Sequence, residues 1–186
     1  MESIKGKRKN QDNILNNLLV FRDEKNQYHG KAIEYVIGMF SQVDKGSDFE
    51  MMNRDLLSLP KQEIVNHISE FKDRGYEVML SYLPNKIIET PLDFIGHIAF
   101  QEHMEDKIKN WQVFHHYIKN EEREKGYGTA QAKNLLEYAR ENGIYKVRMS
   151  KGDNNRVKGI VQRLYDKKDE LNIEVDLEDH WVRLLN

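Results

Sequence analysis

The 186-residue sequence contains no cysteine, which excludes disulfides, thiolate metal sites and a cysteine nucleophile. It has no apolar run long enough to cross a membrane as a helix and no signal-peptide core. A cytoplasmic protein without a membrane partner is therefore expected. A basic excess is missing as well: 29 Lys and Arg face 31 Asp and Glu, a formal net charge of -2. That balance argues against a dedicated nucleic-acid binder, which would carry a positive surplus. No internal repeat, linker or low-complexity segment interrupts the chain. What is present, 39% hydrophobic and 32% charged residues, is the composition of one globular domain with a sizeable core.

Helical and strand-like segments alternate along the chain. Residues 1–30 read as a polar N-terminal arm or short helix around Ile14-Leu15 and Leu18-Leu19-Val20-Phe21, and residues 31–186 as a single domain. Ala32 to Phe40 reads as a first strand. Phe49 to Leu59 reads as a helix ended by Pro60, and Lys61 to Lys72 as a second, with Ile64, Val65, Ile68 and Phe71 on one face and Gly75 as its stop. Tyr76–Tyr82, Leu92–Phe100 and Trp111–Ile118 read as strands, the last rich in aromatic and β-branched residues. Ala130, Leu135, Leu136, Tyr138 and Ala139 recur at helical spacing up to Gly143. Lys146–Ser150 reads as a strand, Asn154–Lys168 as a helix, and Ile173-Glu174-Val175 with Trp181–Leu184 as a closing hairpin. No metal site is expected. His115 and His116 are adjacent strand residues pointing to opposite faces, and His97 and His103 have no ligand partners at a recognisable spacing.

The segment that carries chemistry is Arg123-Glu124-Lys125-Gly126-Tyr127-Gly128-Thr129-Ala130, between the Trp111 strand and the following helix. Amides at a helix N-terminus lack intrahelical partners, and the helix dipole adds about half a positive charge there. A phosphate therefore binds readily. Gly126 and Gly128 remove the Cβ atoms that would keep a diphosphate away. A dinucleotide fingerprint needs a further glycine where Gln131 stands, and a P-loop needs Gly-Lys-Ser/Thr where Gly128-Thr129-Ala130 stands. Both patterns fail.

Strand, acidic connection, Arg-x-x-Gly-x-Gly and helix resembles the central motif of the GCN5-related N-acetyltransferase (GNAT) superfamily, with Glu124 in place of its first glycine. The resemblance runs from about Tyr76 to Tyr165. It implies an α/β (α+β) fold: a mixed, mostly antiparallel central sheet of six to seven strands, flanked by helices and splayed at its two central strands. It also implies an acetyl-CoA-dependent N-acetyltransferase that moves the acetyl group to a primary amine by direct transfer in a ternary complex, with acetyl-CoA as donor substrate and no metal. Backbone groups of His116, Tyr117 and Ile118 would pair with the acetyl-pantetheine arm. The amides of Arg123, Glu124, Lys125, Gly126, Tyr127, Gly128 and Thr129 would wrap the pyrophosphate. Leu164-Tyr165-Asp166-Lys167-Lys168 is similar to the family's Leu-Tyr-Glu-Lys-Leu, whose tyrosine protonates the leaving thiolate. The Gly-Phe that follows it in the family is replaced by Asp169-Glu170-Leu171. The family asparagine falls on Lys158. By the resemblance Asn154 or Asn155 would bind pantetheine instead, or simply begin the helix behind Asp153. Lys151, Arg156 and Lys158 would either meet the 3′-phosphate or be solvated surface charge.

The base stays open. The position where relatives carry glutamate or histidine is Gln112, which cannot accept a proton at neutral pH but can hold a water. Strand alternation places Gln112, Phe114, His116 and Ile118 on one face and Val113, His115 and Tyr117 on the other. His116 is then the titratable group on the first face, either as base or as a histidine filling a sheet position. Glu102 and His103 are further candidates. Two alternatives stand beside the enzyme reading: a toxin-type member acetylating aminoacyl-tRNA, and a non-catalytic module binding acetyl-CoA or a partner. The acceptor, whether small molecule or protein amine, is not set by any motif, and Trp181–Leu185 is a candidate homodimer contact.

Overall fold

The computed structural model describes residues 15–41, 72–105, 107–149 and 155–185. The elements are β1 (Asn16–Leu19), α1 (His29–Ser41), β2 (Tyr76–Tyr82), β3 (Gly96–Glu105), β4 (Ile108–Ile118), α2 (Tyr127–Glu141), β5 (Lys146–Arg148), α3 (Asn155–Asp166), α4 (Lys168–Leu171), β6 (Ile173–Asp176) and β7 (Trp181–Leu184). Among the described residues seven strands form one sheet in the order β1-β2-β3-β4-β5-β7-β6. Every neighbouring pair is antiparallel except β4 and β5, which run parallel.

The start of the chain differs from the sequence reading. Asn16–Leu19, expected in an arm or short helix, is an edge strand paired with β2. Ala32–Phe40, expected to be the first strand, lies in helix α1. Ile33, Val36 and Ile37 have β-branched side chains, yet with Ala32 their three- and four-residue spacing makes a helical stripe. Ala32, Val36 and Ile37 are buried, so periodicity outweighed propensity. The helices expected over 49–59 and 61–72 lie almost wholly outside the described residues. The Leu92–Phe100 strand begins later, at Gly96, because Thr90-Pro91-Leu92-Asp93 folds first into a capped 3-10 turn. There Asp93 accepts from the Thr90 N–H at 2.8 Å.

Each face of the sheet has its own core. Met79, Ile98, Phe100, Trp111 and Val113 pack with Ala132, Leu135, Leu136, Val161 and Leu164 of α2 and α3. On the opposite face Val78, Leu80 and Ala99 pack with Ala32 and Val36 of α1. Glycine is required where β3 starts beside the end of β4: a Cβ on Gly96 would lie 2.2 Å from the Tyr117 carbonyl oxygen. Gly75 takes a positive φ of 76° and ends the segment before β2. Asn172, at φ 52°, ends α4 and leads into buried Ile173. It takes the left-handed place that a glycine would fill, three residues beyond where the sequence reading looked for Gly-Phe.

Candidate active site

Strand β4 organises the site, and one irregularity sets its geometry. The register against β3 pairs Phe100 with Val113 and Ala99 with His115, so Phe114 is an extra residue in a β-bulge. A bulge places two residues opposite one and breaks the alternation of faces. Trp111, Val113, His116 and Ile118 consequently share the α2 face, opposite Phe100, Ile98 and Gly96. Gln112, His115 and Tyr117 look towards α1. Phe114 joins them, its ring 5.9 Å from Tyr76 and 6.4 Å from His103. The expected grouping of Gln112, Phe114, His116 and Ile118 is therefore corrected. His115 and His116 do point to opposite faces.

The parallel β4–β5 ladder covers Asn110, Trp111 and Gln112 against Lys146, Val147 and Arg148. Gln112 occupies its last rung, and β4 runs on to Ile118 with no further β5 partner among the described residues. The Lys119 N–H donates to the Ile95 carbonyl at 2.9 Å, which fixes the phase of the ladder. Successive residues alternate the edge to which their polar groups point. Tyr117 thus faces β3, while the N–H and C=O of His116 and Ile118 face the gap. The Ile118 carbonyl accepts from Arg123 Nε at 3.0 Å, and the Arg123 guanidinium lies over the Tyr117 ring at 5.7 Å.

The glycine loop closes this edge. Arg123 N–H donates to Asn120. Glu124 (φ 63°) and Gly126 (φ 84°) are both left-handed, turning the chain twice before α2. Thr129 and Ala130 N–H groups donate to the Gly126 carbonyl at 3.1 Å. Among the described residues the N–H groups of Gly126, Tyr127 and Gly128 meet no acceptor, as the first amides of a helix should. A Cβ on Gly128 would lie 3.2 Å from Ile160 Cδ1 and 3.8 Å from Ile118 Cγ1, so the bare backbone here is held against both α3 and β4. Arg163 Nε donates to Thr129 Oγ1 at 2.9 Å. Lys125 pairs with Glu122 at 2.8 Å, a hydrogen bond that raises its pKa.

The titratable candidates fall into separate environments. Both ring nitrogens of His116 and Oε1 of the neighbouring Gln131 are buried and meet no hydrogen-bond partner among the described residues. Burial pushes His116 down to about 4, against an opposing pull from Gln131. Its ring is neutral at physiological pH. Gln131 Nε2 donates to Ser81 Oγ at 2.7 Å, which in turn donates to Asn17 at 2.7 Å. Glu102 is pushed up by burial, but Lys109 and the Trp111 indole outweigh this and leave its pKa lowered. It is held by Lys109 at 3.0 Å and by Trp111 at 3.3 Å. Tyr165 stands 37% exposed on α3 with the Lys168 ammonium 4.7 Å from its ring centroid. No hydrogen bond or ring contact joins it to Gln112, His116 or the glycine loop among the described residues. The side chains of Asn155 and Arg156, and Asn154 as a whole, lie outside the described residues. Among the described residues no cluster of His, Asp and Glu could hold a metal.

Sequence reasoning missed a hydrogen-bonded chain on the α1 face. Tyr35 Oη lies 2.9 Å from His97 Nδ1, and His97 Nε2 lies 2.7 Å from His115 Nδ1. The His97 ring stacks on His115 at 4.8 Å and on Tyr117 at 5.4 Å. His97 is buried, and burial holds its pKa well below the usual histidine range, with His115 and His116 adding to the effect. Burial, and then Tyr117, raises Tyr35. A histidine beside a strand motif was the visible signal, but nothing in its spacing announced partners on two other elements.

A family model described as the acetyltransferase (GNAT) family matches residues 54–167, more than half of the chain. No curated protein matches. Among solved structures, a Trypanosoma brucei acetyltransferase is 12% identical, with 88% of this chain and 94% of that chain covered and a TM-score of 0.51. A probable acetyltransferase is 12% identical, covering 82% and 87%, with a TM-score of 0.52. An aminoglycoside acetyltransferase from an uncultured soil metagenomic sample, in complex with trehalose, is 16% identical, covering 84% and 88%, with a TM-score of 0.51. At these identities the likeness is one of fold.

Proposed function

The chain belongs to the acetyltransferase (GNAT) family, and from that premise we propose that it moves the acetyl group of acetyl-CoA to a primary amine by direct transfer in a ternary complex. The observation that carries this reading is the free edge of β4. Beyond the Gln112–Arg148 rung, the main chain of His116 and the N–H of Ile118 face a gap among the described residues, with the Ile118 carbonyl held by Arg123, and the gap ends on the bare amides of Gly126, Tyr127 and Gly128. An extended amide chain finishing in a diphosphate fits that series, first as an added strand and then as an anion on a helix N-terminus. In this reading His116, Tyr117 and Ile118 line the pantetheine arm. Arg123 to Thr129 wrap the pyrophosphate, while Asn155 and Arg156 meet the arm and the 3′-phosphate.

The chemistry joins the amine nitrogen to the thioester carbon and breaks the carbon–sulfur bond. A backbone N–H at the bulge side of β4 supports the oxyanion, and Tyr165 protonates the departing thiolate. Gln112, on the last rung, holds a water beside the reacting carbon. The buried, neutral His116 contributes its main chain to the donor and not its imidazole to proton transfer.

Calorimetric titration with CoA and thiol release from acetyl-CoA over a panel of primary amines test the reading. The wild type binds CoA and releases thiol with at least one amine. Tyr165→Phe keeps CoA binding and loses ~10²-fold in kcat, the usual scale of general acid help. Absence of CoA binding sinks the proposal. Tight CoA binding with no thiol release on any amine replaces it with a binding module.

A further inference from the structure

We propose that Arg148 recognises an oxyanion on the acceptor, so that the amine acetylated here carries a carboxylate or phosphate on the same molecule. This recognition deepens the acetyl transfer argued above, on which it rests, by naming the class of its acceptor. Arg148 shares the last β4–β5 rung with Gln112, where the two strands part. With its diphosphate on the glycine loop at the far end of the gap, a donor lying along β4 brings its acyl group back to that rung. Strand pairing extends the rung into one row across the sheet: Tyr76, Gln101, Gln112, Arg148, Trp181 and Asp176 are successive cross-strand partners. Directly paired residues share a face, here the α1 side. Their sequence neighbours Trp111, Val113, Val147, Met149 and Val182 fill the core under α2 and α3. The acceptor therefore reaches the acyl group from the α1 side. The core beneath α1 draws on β2 and β3 and, among the described residues, on nothing from β5 or β7. Arg148 keeps 22% of its side-chain surface exposed there.

The guanidinium is placed to bind and is not already satisfied. Its Nε is buried and meets no hydrogen-bond partner among the described residues. Its ion pair with Asp179 stands at 4.0 Å from Nη2, beyond hydrogen-bond reach. The Trp181 ring centroid lies 5.0 Å from the Arg148 guanidinium carbon and 3.5 Å from Lys146 Nζ. An indole attracts both cations through its face but has an N–H donor and no acceptor to offer them. The carboxylates of the neighbouring strands are engaged elsewhere. Glu174 holds Arg183 at 2.7 Å. Asp176 accepts from the N–H groups of Asp179 and Glu178 at 2.9 Å each; these bonds lower its pKa against burial, with Lys146 adding to the effect.

A buried guanidinium N–H without an acceptor is costly, and a ligand that supplies one recovers that free energy. The edge of a carboxylate or phosphate takes the Nε–H and one Nη–H of Arg148 together, a bidentate match that lysine does not offer. Lys146, on the same face two residues earlier, adds a second positive charge towards the same anion. Together the two cations disfavour an acceptor that carries only positive charge. Arg148 is thus a specificity-determining residue: it holds the far end of the acceptor while the amine meets the thioester at the Gln112 rung.

The test follows thiol release from acetyl-CoA with matched acceptors: propylamine against β-alanine for the carboxylate, and ethanolamine against O-phosphoethanolamine for the phosphate. Wild type, Arg148→Gln, Arg148→Lys and Arg183→Gln are compared, each with a CoA titration. The wild type is expected to favour the anionic member of at least one pair by ~10-fold or more in kcat/KM, the scale of hydrogen bonds to a charged group. Which pair shows the preference identifies the anion. Arg148→Gln brings the anionic member down to its partner's rate with CoA affinity held. Arg148→Lys, which has the charge without the fork, keeps part of the preference and carries the test if the glutamine variant does not fold. Arg183→Gln, whose ion pair is already made with Glu174, keeps all of it. No preference in either pair, or one that survives both Arg148 variants undiminished, overturns the oxyanion site alone. An equal loss on every acceptor with weaker CoA binding assigns Arg148 to the donor and overturns it as well. A wild type that binds CoA and turns over no amine overturns it together with the acetyl-transfer reading.

Discussion

Replacing Glu77 by glutamine isolates one buried charge. Glu77 is 2% exposed on β2, where Oε1 accepts from the N–H groups of Phe21 and Val78 at 2.9 Å each. Arg22 Nε stands 3.5 Å from Oε2. Burial pushes the carboxyl up from an ordinary 4.5 to about 7, against the pull of the two amides and Arg22. Between those values the native state binds more protons than the unfolded state, so stability falls as pH rises. The loss begins near 4.5 and is complete just above 7. At 1.36 kcal/mol per pKa unit the span corresponds to about 3 kcal/mol. Glutamine keeps an oxygen for both amides and has no charge to bury. The stability difference between Glu77→Gln and the wild type, from urea unfolding at a series of pH values, should thus grow by about 3 kcal/mol in the variant's favour from pH 4.5 to 8. A pH-independent difference, or one that moves the other way, refutes the argument that desolvation governs this site.

Three further perturbations follow from other positions. His116→Phe removes a group whose pKa is depressed to about 4. A depressed histidine stabilises above its unfolded pKa and loses that contribution as pH falls towards 4. In urea unfolding the variant should therefore lose less stability than the wild type between about pH 6.5 and 4, and an equal loss would count against burial as the cause. Gly96→Ala drives a Cβ into the Tyr117 carbonyl oxygen at 2.2 Å. We expect a loss of a few kcal/mol in urea unfolding, about the 1–3 kcal/mol or more of a strained core site, and a loss below about 0.5 kcal/mol would show that β3 can shift away. Glu124→Gly relieves a left-handed residue at φ 63°, a conformation costing about 1–2 kcal/mol, partly offset by the entropy of glycine. A net gain in thermal stability is expected, and a clear loss would mean that the Glu124 side chain holds the loop.

The parts legible in the sequence were those whose meaning lies in neighbouring residues. Gly126 and Gly128 announce bare backbone at a helix start, and Tyr76–Tyr82 and Trp111–Ile118 announce strands by composition. Ala32, Ile33, Val36 and Ile37 satisfy both a strand vocabulary and a helical spacing, and only the apolar face waiting on β2 and β3 decides between them. The bulge at Phe114 belongs to the pairing of two strands and leaves no mark in either alone. Tyr35, His97 and His115 meet across separations of 62 and 18 residues. Tyr35 sat in a segment read as a strand that is in fact a helix, so their chain could not be assembled from spacing.

The extra residue at Phe114 has a consequence for how β4 tolerates change. Up to Val113 the odd positions belong to the α2 side, and from His116 onward the even ones do. The strand therefore carries two frames, joined inside the site. Deleting Phe114 would merge them into one regular alternation, with Val113 and His116 still on the α2 side and His115 still towards α1, while the glycine loop kept its sequence intact. Substitutions on either side of the bulge can be accommodated one at a time, but a second inserted residue between Val113 and His115 would have to enlarge the bulge or else exchange the α1 and α2 faces of the strand beyond it.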